Sequence, residues 1–136
     1  RLDKMTMGVL LFTNDGELTE KLTHPSYNRK KIYQARLDMN LKKSDMEKLV
    51  NGVELEDGVM QVDQIAYIDN DEKEIGLEIH SGKNRVVRRL FEALGYKVKK
   101  LDRVYFAGLT KKNLKRGQWR FLTEEEVNML ITGFYQ

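Results

Sequence analysis

Apolar and polar residues alternate from Lys30 to Met39. Tyr33, Ala35, Leu37 and Met39 fall on one face, and Ile32, Gln34, Arg36 and Asp38 fall on the other. This is the period of a strand with one buried side. The period changes between Lys83 and Leu94, where Val86, Val87, Leu90, Phe91 and Leu94 form a single helical stripe and Gly95 supplies a stop. Arg85, Arg88 and Arg89 project from the opposite side, so they are expected to face outward or into a cleft. Between these two segments, Ser44 followed three residues later by Glu47 reads as a capping box. With Gly52 as terminator it predicts a short helix over Ser44–Asn51. Val59–Ile68 and Glu74–His80, each preceded by an acidic turn, read as the two strands of a hairpin.

The ends of the chain follow the same logic. Val9 to Phe12 is an apolar run before an Asn14-Asp15-Gly16 turn, which predicts a buried strand. Asp3 then sits on the loop entering that strand, between Arg1 and Lys4. Glu17–Leu22 is a helical stretch that Thr23-His24-Pro25 ends, since a proline turns the residue before it away from helix; Pro25 is expected to fix a specific turn. Lys97–Phe106 reads as a strand, and Gln118–Phe121 as another after the Lys115-Arg116-Gly117 turn, with Trp119 assigned to the core. Thr123 and Glu126 form a second capping box, for a final helix with Val127, Leu130 and Ile131 inward. There is no internal repeat and no strand–helix–strand rhythm. The expected fold is therefore α+β with a mixed, mainly antiparallel sheet and packed helices, in one domain over residues 1–136.

A chain of 136 residues with 40% hydrophobic content can build one core. Nothing in it reads as a signal peptide or approaches the ~18 apolar residues of a membrane span. The absence of cysteine excludes disulfides and thiolate metal sites and is compatible with a reducing cytoplasm. The net charge of +3 conceals an asymmetry: residues 83–120 hold thirteen Lys and Arg against Glu92 and Asp102, and the remaining 98 residues balance to −8. Such concentration is the footprint of a nucleic-acid surface, although a solvated basic face has the same composition. The Asp69-Asn70-Asp71 turn fails as a calcium loop, because the sixth position is Glu74 and the twelfth His80. Two histidines are too few for zinc, and neither a phosphate-binding glycine loop nor a Gly-x-Ser-x-Gly elbow is present. What remains is a carboxylate beside basic residues, strand tyrosines and an arginine-studded helix, with Ser81-Gly82 amides at its start able to meet a phosphate. This set fits an RNA-directed site better than a small-molecule hydrolase.

Arg1-Leu2-Asp3, Thr6, Gly8 to Leu11 and Thr13 to Leu18, followed by Leu22, His24-Pro25 and Lys31-Ile32-Tyr33, resemble the aspartate and tyrosine motifs of bacterial ribosomal-RNA pseudouridine synthases. The likeness continues through Gly82 to Arg89, then Leu101, Arg103 and Gly108, and ends with Leu114, Gly117, Trp119-Arg120 and Leu122. It is nearest to the branch that modifies single uridines of the small or large subunit. Val86 departs from it, standing where the family has Gln. The chain also opens inside the aspartate motif, which implies the carboxy-terminal part of a catalytic domain without its amino-terminal strands, feeble when isolated.

The resemblance implies isomerisation of a ribosomal RNA uridine, of the large subunit, without cofactor or metal. Asp3 is implied as the catalytic carboxylate, Arg88 as its charged partner and Tyr33 as the ring that packs against the base. Arg1 is implied as the residue that fills the space a flipped nucleotide vacates, and Ile79 and Leu114 as apolar walls of the uracil pocket. Lys83, Arg85, Arg89 and Lys112 are candidates for contacts to the RNA backbone, taken from the charge map. Two non-catalytic alternatives stand beside this: an RNA-binding module, and a ribosome-associated fragment.

Overall fold

The computed structural model describes residues 1–24 and 29–133. Along the chain the elements are β1 (Met7–Gly8), α1 (Gly16–Thr23), β2 (Lys31–Leu37), α2 (Lys43–Asn51), β3 (Val53–Leu55), β4 (Gly58–Met60), β5 (Gln64–Ile68), β6 (Asp71–Ile79), α3 (Val86–Ala93), β7 (Val98–Phe106), β8 (Leu109–Thr110) and α4 (Glu124–Thr132). One sheet runs in the order β1-β7-β2-β6-β5, with β8 also paired to β7, while β3 and β4 form a separate hairpin. Among the described residues only the β1–β7 pair is parallel. The others are antiparallel, so the expected mixed, mainly antiparallel α+β architecture is present.

The β2 alternation holds through Tyr33, Ala35 and Leu37, but Met39 lies beyond the strand and is exposed. Tight turns make the long hairpins. Asp69 and Asn70 both take positive φ between β5 and β6, as a two-residue turn matched to strand twist requires. Ala107 and Gly108 do the same between β7 and β8. The expected single strand over Val59–Ile68 is instead two pieces, with β4 paired to β3 and β5 paired to β6. Between them Val62 turns fully inward, its N–H bonded to the Leu49 carbonyl, and this breaks the strand.

The capping box at Ser44 does not form. The N-cap of α2 is Lys42, without a side-chain cap, and the helix start is tied by tertiary contacts instead. The Tyr96 hydroxyl accepts from the Lys42 N–H at 3.2 Å and donates to Asp45 Oδ2 at 2.6 Å. Gly52 ends α2 as expected. In α4 the capping box of Thr123 and Glu126 is complete, but of the three residues expected inward only Leu130 is buried.

Two hydrophobic clusters result. The larger joins Ala35 and Leu37 of β2, Ile75, Leu77 and Ile79 of β6, Leu101 of β7, Leu49 of α2 and the α3 stripe of Val86, Val87, Leu90 and Phe91. The smaller gathers Leu22, Phe106, Ala107, Leu109 and Leu130, with Val9, Leu11, Leu18, Leu122 and Met129 against it.

Two expected strands are absent. Beyond β1 the run Val9–Phe12 is not a strand, and Leu10 and Phe12 are exposed. Gln118–Phe121 has no strand partner either, and Trp119, at 74% exposure, is a surface residue rather than core, set edge-on to the exposed Phe121. The turn expected at Pro25 lies outside the described residues.

Candidate active site

Asp3 precedes β1 on a short turn that its own side chain closes. Oδ1 accepts from the Met5 N–H at 3.0 Å and from the Thr6 hydroxyl at 2.7 Å, and the Asp3 carbonyl accepts from the Thr6 N–H at 3.1 Å. An aspartate that bonds backbone two residues on is a self-contained turn, which explains why these residues adopt it locally. Its ionic partner comes from α3: Arg88 Nε stands 3.7 Å from Asp3 Oδ2. The expected neighbours Arg1 and Lys4 form no ion pair with it.

Of the three helix arginines expected to face outward or into a cleft, Arg88 turns toward the cleft and meets Asp3. It is 8% exposed, and its guanidinium donates to the Met5 carbonyl at 2.8 Å and, at 3.4 Å, to the Thr6 hydroxyl and the Val98 carbonyl. The reason lies at the start of α3. Lys83 and Asn84 are not helical, and Arg85 is a left-handed N-cap (φ 51°, ψ 31°), so the helix begins three residues later than its apolar period predicts. Arg88 sits in its first turn, covered by the Asp3 loop. Arg89 is half-buried, donating to Asp57 Oδ1 at 2.8 Å and to the Asn84 carbonyl at 2.9 Å.

Burial alone raises the Asp3 carboxyl. The Thr6 hydroxyl, the Met5 amide and the Arg88 and Arg85 guanidinium groups outweigh it, so its pKa lies below the ordinary value and the group is a carboxylate at neutral pH. Tyr33 moves the other way. Burial, and more weakly the Asp3 charge, raise its phenol, while Arg103 opposes the rise. Tyr33 pairs with Arg103 across the β2–β7 ladder, immediately after an irregularity in register between Ile32 and Tyr33. Arg103 is 4% exposed and donates from Nε and Nη2 to the Val9 carbonyl, at 3.2 and 2.8 Å. It ties the segment after the Asp3 loop to the strand facing Tyr33.

A cleft of about 500 Å³ joins these groups. Asp3, Tyr33, Arg1, Lys83 and Arg85, all expected from the sequence, line it, and Arg88 closes it behind Asp3. Ile79 is fully buried in the larger core and does not line it. Leu114 lies instead on a second, more apolar groove with Trp119 and Phe121, and Lys112 and Arg89 line neither. Two further cations of the cleft, Lys31 and Arg103, were not singled out from the sequence as site residues. Their signal was position: each is a cation on a strand with one neighbour two residues away in the cleft, Tyr33 for Lys31 and Leu101 for Arg103. Among the described residues no cluster of three His, Asp or Glu side chains is placed to hold a metal ion, and none of the helices is long and apolar enough to cross a membrane.

Residues 1–93 match the family model described as RNA pseudouridylate synthase. The chain is 42% identical over 134 residues to "Ribosomal large subunit pseudouridine synthase B" of Bacillus subtilis (strain 168), covering 96% of this chain and 55% of that protein. It is 36% identical over 133 residues to an "Uncharacterized RNA pseudouridine synthase" of Aquifex aeolicus (strain VF5), covering 96% and 53%. Among solved structures, "Crystal structure of pseudouridylate synthase" superposes with a TM-score of 0.84 at 27% identity, covering 95% of this chain and 56% of that one. The chain thus spans about half the length of the relatives it matches.

Proposed function

The chain belongs to the RNA pseudouridylate synthase family, and on that premise we propose that the protein converts a uridine of large-subunit ribosomal RNA to pseudouridine in the cytoplasm, with Asp3 as its catalytic carboxylate. The observation that carries this reading is the ionised Asp3 beside buried Arg88, opening onto a cleft that Tyr33 lines. Its volume of about 500 Å³ suits a nucleotide, since pockets for ligands of that size run to several hundred Å³.

In the reaction the bond from ribose C1′ to uracil N1 breaks, the base turns, and C5 bonds to C1′. The C5 proton is lost and N1 ends protonated, so atoms balance without a co-reactant. Three routes use a carboxylate: attack on C1′, addition to C6, and removal of a sugar proton. Each needs Asp3 charged and fixed. Thr6, Met5 and Arg88 supply both conditions, holding one oxygen and the charge while part of the carboxylate faces the cleft. Tyr33, whose phenol burial raises further above its ordinary value, offers a neutral ring for the base to pack against. A uridine in a paired or stacked region must be extruded to reach it, at a cost of a few kcal/mol. Arg1, Lys83 and Arg85 at the cleft wall are positioned for the RNA.

Replacement of Asp3→Asn in the intact protein tests the reading. It removes the charge and keeps the shape, and release of tritium from C5-labelled uridine in RNA is expected to stop. Release at the wild-type rate would refute the assignment.

A further inference from the structure

Of the cleft cations that pair with no carboxylate, Lys31 is the one that shares a strand with Tyr33. Lys31, the first residue of β2, is half-buried, and its Nζ donates to the backbone carbonyls of Arg29 and Ser81, each at 3.3 Å. Among the described residues no carboxylate pairs with it. An ammonium group has three donors, so two long bonds to carbonyls leave one for a ligand. Burial and then the nearby Arg103 guanidinium pull its pKa down to about 8, the response of a cation short of compensating charge. Withdrawing such a group from water costs free energy that an anion in contact would offset.

The surroundings favour that anion. Arg1, Lys31, Lys83, Arg85 and Arg103 line the cleft against the single carboxylate of Asp3, which Arg88 already engages. A cleft walled by one sign of charge concentrates ligands of the other. Gly82 borders the cleft beside Lys31, with its Cα hydrogens facing Nζ so closely that a Cβ there would stand 3.9 Å away. Lys31 and Tyr33 are two residues apart on β2, a separation of about 6.6 Å along a strand, and both line the cleft.

We propose that Lys31 binds a phosphate of the nucleotide whose base packs on Tyr33, entering past Gly82. This rests on the cleft being the nucleotide site argued above, but not on Asp3 being catalytic. A base on Tyr33 and its own phosphate on Lys31 span the cleft, so one nucleotide is fixed at both ends. Asp3 then meets the sugar between them.

The test titrates the 136-residue chain with uridine and with uridine 5′- and 3′-monophosphates, following the Lys31 side-chain resonances and the dissociation constants by NMR. At least one monophosphate is expected to bind about tenfold or more tighter than uridine, the ratio for one hydrogen bond to a charged group, and to shift the Lys31 signals. Lys31→Met is expected to erase the preference, and Lys31→Arg to retain most of it. Equal affinity of the wild type for nucleoside and nucleotides, or an undiminished preference in Lys31→Met, overturns the proposal. Isomerisation enters neither readout. An intact protein that binds phosphate through Lys31 yet leaves uridine unchanged would sink the enzymatic reading alone, whereas an active intact enzyme indifferent to Lys31→Met would sink only the phosphate site.

Discussion

Replacing Gly8→Ala should be among the most damaging single-methyl additions in the protein. Gly8 lies at the end of β1, parallel to β7, with φ of +137°. A Cβ there would stand 2.4 Å from the Arg103 carbonyl oxygen, 2.5 Å from its nitrogen and 2.8 Å from its Cα. All three are backbone atoms of a paired strand, so β1 must move. The φ strain alone costs ~1–3 kcal/mol. Moving β1 also threatens the Val9 N–H bond to the Arg103 carbonyl at 2.8 Å, worth ~1 kcal/mol, and the charged bonds from Arg103 to the Val9 carbonyl, worth ~1.5–3 kcal/mol. A loss of about 4 kcal/mol or more is expected, which for a domain of this size lowers Tm by roughly 15 °C. Gly95 is the control: its φ is +91°, yet nothing lies within 4 Å of its would-be Cβ. Gly95→Ala therefore carries only the conformational penalty, ~1–2 kcal/mol. Thermal unfolding followed by circular dichroism compares the two. If Gly8→Ala is no less stable than Gly95→Ala, the reasoning that close contact between β1 and β7 demands glycine is wrong.

Two further outcomes concern pH. Thr6→Val removes the strongest of the influences that lower the Asp3 pKa, so the Asp3 carboxyl should titrate closer to its ordinary 3.8, and the acid limb of activity should move up with it; a ¹³C carboxyl titration identical to that of the wild type would contradict this. Glu126 accepts from Arg120 through both oxygens, at 2.7 Å each, and from the Thr123 N–H at 2.8 Å, and its pKa falls from 4.5 to about 2. Because the folded value is the lower one, this support for α4 is complete above 4.5 and is lost as the pH falls through about 2. Carbon chemical shifts of α4 should report fraying across that window, and Glu126→Gln should flatten the dependence; fraying of equal size in the variant would assign it to other groups.

The elements that local pattern determines were legible. The β2 alternation, the α3 stripe, the hairpin turn at Asp69-Asn70 and the Thr123–Glu126 box depend on residues near in sequence, and each appears in the structure. The errors arose where a distant partner decides. Ser44 and Glu47 have the spacing of a cap, but the Tyr96 hydroxyl, 54 residues from Lys42, ties the helix start instead. Helical periodicity put Arg88 opposite the apolar stripe and left open whether it faced solvent or a cleft, since no local rule shows the Asp3 loop folding over the first turn of α3. Val9–Phe12 has strand composition, yet ladder pairing ends at Gly8 and Leu10 and Phe12 remain exposed. Asp3, Tyr33 and Arg88 could be named only through resemblance to known motifs. Lys31 appeared only as part of the tyrosine motif, without a role, because its isolation from carboxylates is a property of the fold, not of its neighbours in the chain.

The apolar interior is divided rather than continuous, with a large nucleus between sheet, α2 and α3 and a lesser one where α1, α4 and the far end of β7 meet. Substitutions in compartments that share no partners combine additively. Random drift can therefore reshape the lesser nucleus more freely at Leu22, Leu109 and Leu130 than at Phe106 and Val9, which Arg103 of the cleft touches. Under selection the two halves of such a molecule are free to age at different rates.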